Sequence, residues 1–280
     1  RGLGDVYKRQ YSNYSNNPFD YMESLANRPK IKIVSKPVLI SNTPNPDDVI
    51  IKSSIMYHFQ CSEQEAKQIM EESEKIDPEY KAKSMNIILH KEERRELEQV
   101  SFTFQIPISL SILTHLTRHR MHSLLIPEFT PLWDFNNFII PATIQAKSEL
   151  KNIFINAQKE NMKIFEEFKN SNVSDEDLIY FYLGCQMLNV VTTMNGRTLQ
   201  WILHLRCCNK AQWQIRNIAK ELAKQVSSVA PLLGKGLGPT CMTDLVCYEG
   251  KECCGLINSL LENRTCLLYT SPSPRDMRRS

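Results

Sequence analysis

The segment that precedes Pro107 alternates apolar and polar residues, and this alternation constrains the fold more than any other stretch. An apolar residue at every second position turns one side of the chain towards a core, which predicts a half-buried β-strand. The apolar positions are Val100, Phe102, Phe104 and Ile106. After Pro107 the apolar residues recur at every fourth position, which predicts a helix that begins near this proline. These later positions are Ile108, Ile112 and Leu116.

Other segments show the same two periods. Runs of β-branched and apolar residues predict strands at 31–34, 38–40 and 190–193. Residues 62–65 read S-E-Q-E, a capping box that opens a helix. A long amphipathic helix is predicted over 144–167. Its expected apolar stripe is Leu150, Ile153, Phe154, Ala157 and Phe165. Strands and helices in this segregated order predict an α+β domain.

The composition fits one large domain. A chain of 280 residues with 42% apolar residues can bury a sizeable core. It has no run of 18 apolar residues and no signal-peptide layout, so we expect a soluble, cytoplasmic protein without a membrane segment. Nine cysteines without a secretion signal indicate reduced thiols or a metal site, not a disulfide framework.

The two ends of the chain differ from its body. The first ten residues and residues 267–280 lack an amphipathic period and resemble translated adapter sequence, so both are expected to be foreign. Each end carries a net charge of +2, and the whole chain carries +3, so the body is close to neutral. Nucleic-acid binding is therefore not expected. The expected organisation is an irregular arm over 1–29, a domain over 30–240, a cysteine-rich extension over 241–255 and a tail over 256–280.

Two motifs carry the chemistry of the sequence. The first reads R-H-R-M-H-S over 118–123, shortly after S-F-T-F over 101–104. The second reads T-M-N-G-R over 193–197 and continues as L-R-C-C-N-K-A-Q-W-Q-I-R over 205–216. Together they resemble the flavin-dependent thymidylate synthases, whose signature is R-H-R-x-x-S-x-N-E-x-S-x-R and whose second block begins T-M-N-x-R. The resemblance extends over about residues 30–255.

This resemblance implies a fold, an assembly and a reaction. The implied fold is a single α+β domain with an antiparallel sheet and long helices. The implied assembly is a homotetramer that holds FAD between subunits. The implied reaction is the reductive methylation of dUMP at C5, with NADPH as the reductant and methylenetetrahydrofolate as the one-carbon donor.

The resemblance also implies roles for individual residues. Arg118 and Arg206 match positions that bind the nucleotide substrate. Guanidinium groups also suit FAD, because they donate paired hydrogen bonds to its pyrophosphate and can stack on its flavin ring. The positions that match cofactor contacts are Arg118, His119, Arg120, Asn195, Arg197 and Glu98.

The residues alone leave simpler roles open. The R-H-R cluster is also what a solvated helix C-terminus carries, because the helix dipole favours cations there. Asn195 is equally suited to a turn at the end of a strand, and Arg197 to an exposed surface charge.

The first motif departs from the family signature after Ser123. The positions of its Asn, Glu, second Ser and last Arg hold Leu125, Ile126, Glu128 and Thr130. A second phosphate-binding arginine of the family falls on Ile179 and a histidine on Glu93 in an ungapped comparison. A carboxylate at Glu128 repels a nucleotide phosphate. Two alternatives therefore stay open: an FAD-binding paralogue that acts on another pyrimidine nucleotide, or a non-catalytic oligomeric scaffold.

The cysteines cluster towards the C-terminus. The extension resembles the cysteine-bearing C-terminal segment of one branch of the same family, G-P-x-C followed by C-x-E-G and C-G. Four reduced thiolates can complete a tetrahedral zinc site, although buried free cysteines explain the pattern as well. The expected zinc ligands are Cys208, Cys241, Cys247 and Cys254.

Overall fold

A four-stranded antiparallel sheet organises the computed structural model, which describes residues 32–127 and 135–261. The strands are β1 Val38–Asn42, β2 Ser101–Ser109, β3 Ser123–Leu125 and β4 Met187–Asn195, in the order β1-β2-β4-β3. The described residues from Ile33 to Leu261 belong to one compact unit. These findings confirm a single α+β domain with an antiparallel sheet. The predicted arm over 1–29, the end of the tail, Glu128 and Thr130 lie outside the described residues.

Helices connect and follow these strands. They are α1 Pro46–Phe59, α2 Glu63–Ile76, α3 Tyr80–His90, α4 Leu110–Thr117, α5 Ala142–Gln145, α6 Ser148–Lys169, α7 Asp175–Leu178, α8 Gly196–Arg206, α9 Trp213–Val229, α10 Pro231–Gly234 and α11 Thr240–Thr243. Short 3₁₀ helices span Arg95–Gln99, Ile179–Phe181 and Gly250–Glu252. None of the helices within the described residues is long and apolar enough to cross a membrane.

The core lies against one face of β2, as the alternation predicts. The apolar side chains of β2, from Phe102 to Ile108, are almost completely inaccessible to solvent. Helices α8 and α9 contribute Leu199, Leu203 and Leu222 to the same core. Each large apolar side chain buried in this way contributes about 1.5–3 kcal/mol relative to its exposed state.

The prediction that a helix begins near Pro107 is wrong. Strand β2 continues to Ser109, and α4 begins only at Leu110. Pro107 lies opposite Asn189 of β4, whereas the pairing of β1 with β2 reaches only Gln105. Since β1 does not pair at this point, the missing N–H of proline costs no hydrogen bond on that side of β2.

Two further predictions need correction. Residues 32–34 form no strand, although Val34 N donates to Asn189 Oδ1 over 3.1 Å. The helix predicted over 144–167 is divided into α5 and α6, because Lys147 adopts an extended backbone between them. Of its expected stripe only Phe165 is fully buried, and Leu150 and Ile153 are exposed. By contrast, the capping box of Ser62 and Glu65 at the start of α2 is confirmed.

A tight junction joins β4 to α8. Asn195 is the N-cap of α8, and its Oδ1 accepts a hydrogen bond from Thr198 N over 2.8 Å. Gly196, the first residue of the helix, donates its N–H to Val100 O over 3.0 Å. A Cβ atom at position 196 would lie 2.7 Å from Leu97 O, so only glycine fits without movement of the backbone.

We therefore expect Gly196→Ala to destabilise the fold by about 1–3 kcal/mol, the usual cost of overpacking. Urea denaturation followed by circular dichroism measures this change. Gly184→Ala is the matched control, because a Cβ atom there meets Ser111 Cβ at an ordinary 3.5 Å. Equal stability of the two variants would contradict the steric argument.

Candidate active site

The sheet brings the two sequence motifs together. Ser123, the last residue of the first motif, pairs with Thr193, the first residue of the second. Thr103 of β2 also pairs with Thr193, and their Oγ1 atoms lie 2.9 Å apart. Segments that are far apart in the chain therefore lie on adjacent strands.

Hydrogen bonds anchor the turn between α4 and β3. His122 Nδ1 lies 2.7 Å from Thr192 Oγ1, and this hydroxyl donates to Ser123 O over 2.8 Å. Thr198 Oγ1 donates to Met121 O over 3.3 Å, which ties the same turn to α8. The turn that carries the arginines of the first motif is thus fixed to both β4 and α8.

A cavity of about 790 Å³ opens at this junction, and we call it the motif cavity. All six residues predicted to contact the cofactor line it. They are Arg118, His119 and Arg120 after α4, Asn195 and Arg197 at the start of α8, and Glu98 in the 3₁₀ helix before β2. The structure therefore gathers the predicted cofactor residues around a single space.

Two of these residues form an ion pair. Arg197 Nη1 lies 2.5 Å from Glu98 Oε1, and both side chains are partly exposed. A pair exposed in this way contributes about 0–1 kcal/mol to stability, so its main effect is to orient Arg197 along the cavity wall.

Arg206, predicted to bind the nucleotide, lies behind His119 and not on the lining of the motif cavity. Its Nε donates to His119 Nε2 over 3.0 Å, and its Nη2 donates to His115 O over 3.0 Å. Burial, followed by the charge of Arg206 and the neighbouring His122, lowers the pKa of His119 to about 4. His119 is therefore neutral at neutral pH, and its Nε2 accepts the hydrogen bond from Arg206.

Further side chains complete the motif cavity. Arg94 Nη1 donates to Gln200 Oε1 over 3.1 Å, and Arg94 Nη2 lies 3.6 Å from Asp244 Oδ2. Trp201 of α8 lines the cavity with 62% of its surface exposed. Tyr248 adds a second aromatic group from the cysteine-rich extension. Our reading of the sequence did not identify these residues, although an aromatic residue outside the buried stripe of α8 is a usable signal.

Two of the positions that depart from the family pattern lie away from the motif cavity. Ile179 packs against a small hydrophobic cluster around Phe165 and Tyr182, and not on the motif cavity. Glu93 pairs with Arg95 over 3.3 Å on an exposed surface. Neither residue contributes to the motif cavity.

A second cavity, of about 380 Å³, adjoins the extension, and we call it the thiol cavity. It is lined by Cys207, Cys208, Cys241, Cys247, Cys253 and Cys254, which include all four predicted zinc ligands. Burial, followed by the nearby Cys254, Cys208 and Cys247, raises the pKa of the Cys241 thiol. Within residues 32–127 and 135–261, no three His, Cys, Asp or Glu side chains form a group that could hold a metal ion as they stand.

Comparisons with known proteins identify relatives of this chain. Residues 38–232 match the family model described as thymidylate synthase complementing protein. A flavin-dependent thymidylate synthase from Clostridium tetani is 32% identical over 237 residues, which cover 78% of this chain and 92% of that protein. A second one, from Geobacter sulfurreducens, is 28% identical over 224 residues, which cover 79% of this chain and 94% of that protein.

A solved structure shares the fold. It is the crystal structure of a UMP/dUMP methylase PolB from Streptomyces cacaoi bound with 5-Br dUMP, and it matches with a TM-score of 0.58 and 14% sequence identity. The match covers 74% of this chain and 96% of that one. Because the family model spans most of the chain and the curated relatives are matched over nearly their full length, this chain belongs to the family of the flavin-dependent thymidylate synthases.

Proposed function

We propose that this protein methylates dUMP at C5 reductively, with FAD, NADPH and methylenetetrahydrofolate. The observation that carries the proposal is the convergence of all six motif residues on one cavity. The names of the full-length relatives, which are flavin-dependent thymidylate synthases, support the same reaction.

The residues of the motif cavity fit a flavin nucleotide. Arg118, Arg120 and Arg197 offer guanidinium groups to a pyrophosphate, and Trp201 offers a flat aromatic surface. The cavity volume lies within the range of about 300–1,000 Å³ that is usual for cofactor and ligand sites. When bound, the flavin supplies a hydride carrier between NADPH and the one-carbon group.

The protein's own groups then bind and orient the nucleotide. Arg118 lies at the motif cavity, where it is placed to neutralise a phosphate. Arg206 supports the site from behind, since its two hydrogen bonds fix the ring of His119 and the backbone of His115. Because His119 stays neutral, this part of the site gains no second positive charge beside Arg206.

A paralogue that acts on another pyrimidine nucleotide is the second candidate. The observation that favours it is Ile179, whose apolar side chain packs in a hydrophobic cluster where an ungapped comparison expects a phosphate-binding arginine. The nucleotide phosphate would then depend on fewer cationic contacts, each worth about 1.5–3 kcal/mol.

We also propose that the chain assembles as a homotetramer with flavin between subunits. Exposed apolar side chains on α6, including Leu150, Ile153 and Phe168, support a subunit contact. Light scattering after size exclusion should give four times the chain mass of 32.4 kDa. A mass that stays at one chain with FAD present would reject the tetramer.

The flavin and nucleotide sites are tested by reconstitution and titration. Purified protein should bind FAD, and dUMP should perturb its visible spectrum. Arg118→Ala should weaken binding of the flavin or of dUMP by roughly 10- to 150-fold, the loss expected for one charged contact. Arg95→Ala is the matched control, because this exposed arginine lies outside the motif cavity.

Each outcome has a separate meaning. FAD binding without a response to dUMP, together with a response to another pyrimidine nucleotide, would favour the paralogue. Failure of the folded wild-type protein to take up FAD would reject both enzyme functions and favour the scaffold.

Stability should fall as the pH drops from about 6.5 to about 4, and His119 should contribute to this fall. Its pKa is about 4 in the folded protein and 6.5 ordinarily, so the unfolded chain takes up the proton first. The contribution of His119 to the free energy of unfolding is therefore complete above pH 6.5 and is lost as the pH falls through 4. Between pH 7.5 and 4.5, the midpoint temperature of thermal unfolding should fall less in His119→Gln than in the wild type. His58→Gln, an exposed substitution, should behave like the wild type, and an unchanged pH profile in His119→Gln would contradict the argument.

A further inference from the structure

The thiol cavity plays no part in the proposed methyl transfer, yet it gathers six of the eight cysteines that the structure describes. They come from two segments: Cys207 and Cys208 follow α8, and the other four belong to residues 241–254. All eight are free thiols. The ion pair of Lys210 with Glu252, at 3.1 Å, joins the two segments at the edge of the cavity. The fold thus brings together sulfur atoms that no disulfide explains.

N–H groups are directed at three of these sulfur atoms. The pairs are Lys210 N and Cys208 Sγ at 3.5 Å, Gly255 N and Cys253 Sγ at 3.4 Å, and Asn209 Nδ2 and Cys254 Sγ at 3.6 Å. Hydrogen bonds of this kind orient the side chains that ligate a metal ion.

A carboxylate also contacts the cluster. Cys208 Sγ lies 3.8 Å from Glu249 Oε1, where the thiol proton is the donor. Glu249 thus contacts the Cys208 side chain at the wall of the thiol cavity.

We propose that Cys208, Cys241, Cys247 and Cys254 ligate a thiophilic metal centre in the thiol cavity. Four thiolates are the donor set that structural zinc sites and iron–sulfur clusters share. A single zinc ion requires all four sulfur atoms to lie about 2.3 Å from the metal. An iron–sulfur cluster, which contains bridging sulfides, needs a wider space between the same four cysteines. The metal content of the purified protein therefore distinguishes a zinc ion from a cluster.

The metal centre has a consequence for the neighbouring motif cavity. His204, Thr240 and Tyr248 line both cavities, so α8 and the chain from Thr240 to Tyr248 together form a common wall between them. A centre that cross-links Cys208 to the extension would hold this wall in place. This consequence rests on the proposed flavin function, whereas the metal site itself does not.

The direct test is the metal content of the full chain, purified without oxygen and without chelators. We expect either one zinc ion per chain or about four iron atoms with equal acid-labile sulfide. Cys247→Ser and Cys254→Ser should each lower metal affinity by about tenfold or more. Cys61→Ser is the matched control, because Cys61 lies outside the thiol cavity and its loss should leave the metal content unchanged.

A second measurement does not depend on variants that could fail to fold. Cobalt added to the metal-free wild-type chain should give sulfur-to-cobalt charge-transfer absorption if zinc is the natural ion. Iron and sulfide should instead reconstitute a visible band that dithionite bleaches if the centre is a cluster. A folded wild-type chain that takes up none of these metals would overturn the proposal, and so would equal metal content in all the cysteine variants.

Coupling to the motif cavity is measured separately. Removal of the metal should weaken FAD binding by about 5- to 150-fold, the usual range for coupled sites. Metal at full occupancy without any FAD binding would reject the flavin function and leave the metal site standing. Unchanged FAD affinity in the metal-free chain would reject the coupling alone.

Discussion

The pairing of β2 with β4 is the constraint on which the rest of the structure depends. It runs without a break from Ser101 opposite Asn195 to Ser109 opposite Met187. Phe102 and Phe104 fix its register, since a shift by one residue would turn both rings out of the core. Glu98 precedes the first residue of β2, and α8 follows the last residue of β4, so both lie at the same end of this strand pair. The register of the pair therefore also sets the position of the predicted cofactor residues.

Much of this arrangement was predictable from local patterns, and the errors have physical causes. The alternation around Phe104 depends on one strand and its core, so it identified β2 correctly. The start of α4 was misplaced because Pro107 is tolerated in the strand only where β1 does not pair, and this condition depends on a segment more than sixty residues away. Leu150 and Ile153 belong to an amphipathic pattern whose apolar face stays exposed within the part of the chain that the structure describes.

The candidate site was predictable as a set of residues but not as a geometry. Motifs identified Arg118, Asn195 and Arg197, yet only the register of β3 on β4 shows that they surround one cavity. The hydrogen bond from Arg206 to His119 was not predictable, because it joins residues at the ends of two different helices. Trp201 was not predicted, because apolar periodicity identifies buried positions and this ring lies outside the buried face of α8.

The cap of α8 restricts which atoms a bound molecule can present at Asn195. Its Oδ1 is held by Thr198 N, which fixes the orientation of the amide and leaves the NH₂ end for the motif cavity. The N–H groups of Asn195 Nδ2 can then donate there to carbonyl oxygens or unprotonated ring nitrogens. An aspartate would cap the helix equally well but would present an acceptor. The polarity of the recognised group is thus set by the same hydrogen bond that starts the helix.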